Sequence, residues 1–136
     1  MKTKIALLAF LIVTFSSFGQ EKAVMTTAKV KTGMIKVAIM YPSGEEKTFD
    51  MDYYSNKHMP MVASLLGNSL KSWSIDKGIS GRTSEEPIPY LAIGYLYFNK
   101  LFEYQNSFGP NAEKIVNDIP NYTNIQPVIQ ISEVYK

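Results

Sequence analysis

The chain has 136 residues, 14 basic and 12 acidic side chains, one histidine and no cysteine. Without cysteine it forms no disulfide and is not a lipoprotein, and any metal cluster would have to rest on carboxylates that lack ligand spacing. Residues 1–19 hold two lysines and no acid, so the rest carries 12 charges of each sign, a balance with no basic stripe for nucleic acid or an anionic membrane.

Lys2 and Lys4, the apolar run from Ile5 to Phe15 broken only by Thr14, and the small-residue exit Ser16-Ser17-Phe18-Gly19 predict a signal peptide over 1–19, cut before Gln20. The run is shorter than the about 20 apolar residues of a bilayer span. It implies an exported chain, periplasmic or secreted, with no membrane attachment after cleavage. Residues 20–33 are polar and aperiodic, a flexible leader. Residues 34–136 form one domain of a size that buries most of its unfolded-chain surface.

Met34 to Tyr41 alternates, with Ile35, Val37, Ile39 and Tyr41 on one face, and reads as a strand ended by Pro42-Ser43-Gly44. Asp50 is placed as an N-cap, with Phe49 and Tyr54 as a hydrophobic staple, for a helix running to Leu66 and stopped by Gly67-Asn68. Pro60 removes a hydrogen bond to the carbonyl of Asn56 and is expected to kink or split that helix near His58. Leu70 to Ile79 alternates around Trp73 and Ile75, and Ser80 to Pro89 is a loop. Tyr90 to Phe98 is apolar on both faces, as a central strand is. Asn99 is placed to cap a helix through Phe108, Gly109-Pro110 breaks it, and Pro110 opens a second piece to Asn117. After the turn-rich stretch Pro120 to Gln126, Val128 to Val134 is the last strand. The order βαββαβ predicts an α+β, ferredoxin-like fold whose two helical layers cover one sheet face. A bare face carrying Trp73, Ile75 and Tyr95 predicts a homodimer, although Lys36, Gln130 and Ser132 bring polar groups to it.

His58 is the candidate for proton transfer, because imidazole alone titrates near neutrality unperturbed, and Tyr54 lies four residues before it on one helix face. The carbonyl of Asn56, freed by Pro60, would fix the ring's tautomer. Trp73 could stack on an aromatic ligand, while Tyr122 and Asn124 sit in a connector of the kind that holds binding residues. No glycine-rich dinucleotide turn follows the first strand, and no serine stands in a nucleophile-elbow pattern. Chemistry is therefore expected to need no metal and to be cofactor-free or to use a bound organic group.

From Met34 to Tyr135 the chain resembles the EthD family, named for ethyl tert-butyl ether degradation, a branch of the dimeric α/β-barrel proteins. The resemblance rests on Phe49-Asp50 through Tyr53-Tyr54 to Lys57-His58-Met59-Pro60, on Tyr90-Leu91-Ala92-Ile93-Gly94, on Phe108-Gly109-Pro110, and on Asp118-Ile119-Pro120-Asn121-Tyr122-Thr123-Asn124 with the strand after it. It implies an antiparallel four-stranded sheet, dimerisation, a small-molecule pocket, and an oxidoreductase or reductase label drawn from pathway context. Two functions follow: an enzyme acting on a small apolar molecule with a carbonyl or hydroxyl handle through His58, or a non-catalytic periplasmic binding protein for such a molecule. Haem binding or degradation with His58 as axial ligand is a third, implied by the wider superfamily.

Overall fold

The computed structural model describes residues 28–136; the segment expected to be a signal peptide and the expected leader up to residue 27 lie outside them. Four strands, β1 (Ile35–Pro42), β2 (Ser72–Lys77), β3 (Tyr90–Phe98) and β4 (Val128–Glu133), form one antiparallel sheet in the order β2-β3-β1-β4. This is the ferredoxin-like arrangement, with the most apolar strands, β1 and β3, at the centre. The end of the leader is tied to the domain: Ala28 N–H donates to the Lys71 carbonyl and Gly33 N–H to that of Val134.

Pairing register settles which side chains share a face. Val37 and Tyr41 on β1 and Ala92, Leu96 and Phe98 on β3 are buried under the helices. Trp73 and Ile75 stand opposite Leu96 and Gly94, so they belong to this helix-covered face and not to the bare one expected from the sequence. Alternation separates two faces of a strand but does not say which one the helices take. The bare face carries Ala38, Met40, Leu91, Ile93, Tyr95 and Tyr97, all half-buried, with the Lys36 ammonium 4.4 Å over the Tyr95 ring.

The first helical layer is continuous from Met51 to Leu66 but changes winding: α1 (Met51–Tyr53), a π-helical turn (Tyr54–His58), then α2 (Met59–Leu66). Asp50 caps it, its carboxylate accepting the Tyr53 N–H at 2.9 Å, and the Phe49 and Tyr54 rings meet edge to face at 5.0 Å. The helix does not split at Pro60. It widens just before it, with the Met59 N–H reaching back five residues to the Tyr54 carbonyl. Gly67 ends α2 at φ 55°, a conformation that costs glycine nothing sterically.

The second layer is α3 (Leu101–Phe108), a 3₁₀ turn at Gly109–Asn111 and α4 (Ala112–Asp118), followed by a 3₁₀ turn at Ile119–Asn121. Asn99 does not cap α3. Lys100 holds that position, and the Glu103 carboxylate reaches back to the N–H groups of Asn99 and Lys100 at 2.9 and 3.1 Å. Met59, Val62 and Leu66 of α2 and Ile115 of α4 join the sheet residues in one core.

Gly94, in the middle of β3, has a specific reason to be glycine: a Cβ there would collide with the hydroxyl of buried Tyr54. Tyr54 is fixed by its helix and by the rings around it, so it has little room to yield. Gly94→Ala should therefore cost about 1–3 kcal/mol, the usual range for overpacking a core. Thermal melting would show it, and an unchanged melting temperature would mean that Tyr54 can move aside.

Candidate active site

Two stretches distant in sequence are laced together to build the site. Phe49 pairs with Thr123 in an isolated antiparallel bridge, and the Asp50 N–H donates to the Tyr122 carbonyl at 2.8 Å. The Thr123 hydroxyl donates to the Thr48 carbonyl at 2.6 Å. Asn124 completes the lacing: its side-chain oxygen accepts from the Thr48 N–H and its amide donates to the Glu46 carbonyl, at 3.0 and 2.8 Å. The connector is thereby locked onto the entry to α1, and Tyr122 is pressed against the π-helical turn. Its ring centroid lies 4.6 Å from that of His58.

Widening the helix at Tyr54–His58 leaves both end residues pointing inward. Their rings stack at 5.5 Å and 16°, and both are buried, at 1% and 4% exposure. Both nitrogens of His58 have partners. Nδ1 lies 2.8 Å from Oδ2 of Asp118, the last residue of α4, and Nε2 lies 3.3 Å from the Tyr122 hydroxyl. The Tyr122 hydroxyl in turn lies 2.7 Å from that of Tyr41 on β1. Asp118 is itself held, its Oδ1 accepting from the Tyr53 hydroxyl at 2.8 Å and from the Asn121 amide at 2.9 Å.

These contacts fix protonation. Burial pushes the His58 pKa below the ordinary value, against the opposing pull of the Asp118 carboxylate, so the ring is neutral at pH 7. Burial alone would raise Asp118, but hydrogen bonds from His58, Asn121 and Tyr53 outweigh it and hold the carboxyl below its usual range. An ionised carboxylate has no proton to give, so the hydrogen on the 2.8 Å contact belongs to Nδ1 and the lone pair of Nε2 faces Tyr122. Burial also drives Tyr41, Tyr54 and Tyr122 well above the ordinary phenol value, which keeps all three protonated.

Beside this network is a cavity of about 230 Å³ between the sheet and the helices. Its walls are mostly apolar, with Val37 and Ile39 from β1, Met59 and Val62 from α2 and Phe108 from α3, and the lining residues that carry polar groups are Tyr41, Tyr54, His58, Tyr104 and Gln126. An apolar cavity of about 150 Å³ suffices for benzene, so this one has room for a somewhat larger molecule.

Of the residues singled out from the sequence, His58 and Tyr54 line the cavity, and Tyr122 stands directly behind His58. Trp73 packs against the core from β2 and does not line the cavity, and Asn124 acts as a clamp between loops. The tautomer of His58 is set by Asp118 and not by the Asn56 carbonyl. Asp118 and Tyr41 were missed as site residues. Asp118 is 60 positions from His58, and the one sequence signal for it was its place at the head of the Ile119-Pro120-Asn121-Tyr122 connector. No group of three or more potential metal ligands occurs among the described residues.

Comparison with known proteins agrees with this architecture. A model of the EthD domain matches residues 42–126, which span the helix entry, the His58 turn and the connector. An EthD-like protein from Ralstonia eutropha JMP134 is 38% identical with a TM-score of 0.72, over 76% of this chain and 94% of its own. An ethyl tert-butyl ether degradation (EthD) family protein from Bacillus halodurans C-125 shares the fold at 16% identity and a TM-score of 0.52, over 74% of this chain and 97% of its own. A search of curated proteins finds no match. Matched over more than half its length and with a relative above a third identical, the chain belongs to the EthD family.

Proposed function

We propose that the protein is a cofactor-independent enzyme that moves a proton on a small, largely apolar molecule, with His58 as the general acid–base group. The observation that carries this reading is a neutral imidazole, braced at Nδ1 by a carboxylate, on the wall of an apolar cavity. The apolar walls would bind the body of the substrate, and the polar groups of the lining would meet its oxygen. The oxidoreductase role implied by the family resemblance would add an electron acceptor to this step. The geometry supports the proton transfer itself.

The test is hydrogen exchange. Apolar cyclic ketones, 2-tetralone first, would be incubated with the protein in D₂O and their α-deuterium content followed by mass spectrometry. Exchange well above the protein-free rate is expected. Ketones that bind without exchanging would assign the non-catalytic binding role instead, and a cavity that binds none of them would remove both readings. Haem ligation gains less support, because Nε2 already meets Tyr122 and about 230 Å³ is below the usual 300–1,000 Å³ of ligand pockets.

Export and assembly complete the proposal. The 1–19 segment supports cleavage before Gln20, and the half-buried apolar residues of the bare sheet face support a two-fold dimer through that face. Intact mass and light scattering on protein recovered from the periplasm of a Gram-negative host should give a chain beginning at Gln20 and a particle of twice its mass. A chain retaining residues 1–19 would sink the first statement, and a monomer stable at micromolar concentration the second.

A further inference from the structure

Neither nitrogen of His58 is free: Nδ1 is taken by Asp118 and Nε2 by the Tyr122 hydroxyl. Tyr122 does not line the cavity, whereas Tyr41, its other partner, does. We propose that the cavity communicates with His58 through the two hydroxyls of Tyr41 and Tyr122, and that in the neutral state this relay selects apolar ligands carrying a hydroxyl group over those that can only accept a hydrogen bond. The inference rests on the cavity being the ligand site and goes further, by naming the class of ligand.

The direction of the relay follows from counting hydrogens. With Nδ1 protonated, the lone pair of Nε2 takes the Tyr122 hydrogen. Two hydroxyl oxygens 2.7 Å apart need a hydrogen between them, and with that of Tyr122 already committed it must come from Tyr41. Tyr41 then has no hydrogen left for the cavity it lines and can offer a ligand there only its oxygen lone pairs. A bound alcohol, phenol or enol satisfies that acceptor; an ether or ketone leaves it unpartnered in an apolar enclosure.

Protonation of His58 reverses every link. Nε2–H donates to Tyr122, Tyr122 donates to Tyr41, and the Tyr41 hydrogen is released toward the cavity as a donor. The same movement carries the proton of a hydroxyl ligand to His58 in balanced form. A proton leaves the ligand O–H for the Tyr41 oxygen, the Tyr41 proton passes to Tyr122, and the Tyr122 proton passes to Nε2. The products are a ligand anion facing a Tyr41 donor and an imidazolium held by Asp118. The titratable groups around His58 are consistent with a reversal controlled by the imidazole. Asp118 from α4 stays ionised, and Tyr41 from β1, Tyr54 from the same helix, Tyr122 from the connector and Tyr104 from α3 stay protonated.

Calorimetric titration of the full mature chain with 2-naphthol and 2-methoxynaphthalene separates donor from acceptor on one ring system. At about pH 7.5, where imidazole is neutral, 2-naphthol should bind about five- to ten-fold more tightly, the worth of one net hydrogen bond. The ratio should fall on acidification toward the lowest pH at which a melting transition persists. In Tyr122→Phe the preference should collapse toward unity, and Tyr41→Phe/Tyr122→Phe should do the same without leaving either hydroxyl orphaned by the other; melting curves would confirm that both remain folded. Equal affinities in the unmodified chain, a ratio indifferent to pH, or a preference that survives in Tyr122→Phe would each overturn the relay. Deuterium exchange of ketones combined with equal affinities would sink the relay and leave the enzyme reading standing, whereas failure of both naphthalenes to bind would overturn the relay and the cavity reading together.

Discussion

His58→Gln should lower the rate of ligand-proton exchange by about a hundred- to ten-thousand-fold, the usual contribution of a positioned acid–base group. Glutamine keeps a hydrogen-bonding head of similar reach but has no basic nitrogen, so it can bridge Asp118 or Tyr122 without taking up a proton. It cannot satisfy both as the ring does, from Nδ1 at 2.8 Å and Nε2 at 3.3 Å. One buried polar partner is left without its bond, at a cost of about 1–3 kcal/mol. For a domain near 100 residues each kcal/mol lowers the melting temperature by about 4–8 °C. The measurement is therefore paired, a melting curve and the exchange rate per folded molecule. Destabilisation with that rate unchanged would make His58 a structural histidine.

What could be read from the sequence divides along physical lines. Local signals held where local chemistry decides: Asp50 as a cap, the Phe49–Tyr54 staple, Gly67 as a stop, and β3 from Tyr90 to Phe98, whose two apolar faces marked it as central. The face of β2 did not follow from its own alternation. Trp73 has the same period on either side, and pairing with Leu96 across the sheet decides where it points. Pro60 announced a disturbance in the helix but not its form, because a widened turn and a kink lose the same N–H. The site divides in the same way. His58 and Tyr54 lie four apart on one element and could be paired from spacing. Asp118 joins His58 from 60 positions away, and Tyr41 is brought in through Tyr122, 81 positions from it, by the lacing of residues 46–50 to 122–124. No period in the sequence records such a meeting.

Asp118→Asn should cost about a hundredfold in exchange rate while leaving the cavity intact, because Asp118 positions His58 and does not line the cavity. The carboxylate requires a hydrogen on Nδ1; an asparagine can donate its own hydrogen there as readily as accept one. It thus permits the tautomer with the hydrogen on Nε2, which has no lone pair for the Tyr122 hydroxyl. The pH dependence gives the change a second signature. Asp118 raises the His58 pKa against the larger lowering effect of burial, so removing its charge lets the value fall further. The acid limb of the rate profile should move to lower pH. Stability should change with a definite sign as well. A carboxyl held below its unfolded value contributes stability above about pH 3.8 and loses it as pH falls through the folded value. The variant should therefore be less stable than the parent at neutral pH, and the gap between them should close as the parent's Asp118 becomes protonated. Urea melts at a series of pH values, read beside the rate profile, test both signatures. An acid limb that stays in place together with a gap that persists into acid would mean that Asp118 holds His58 by shape and not by charge.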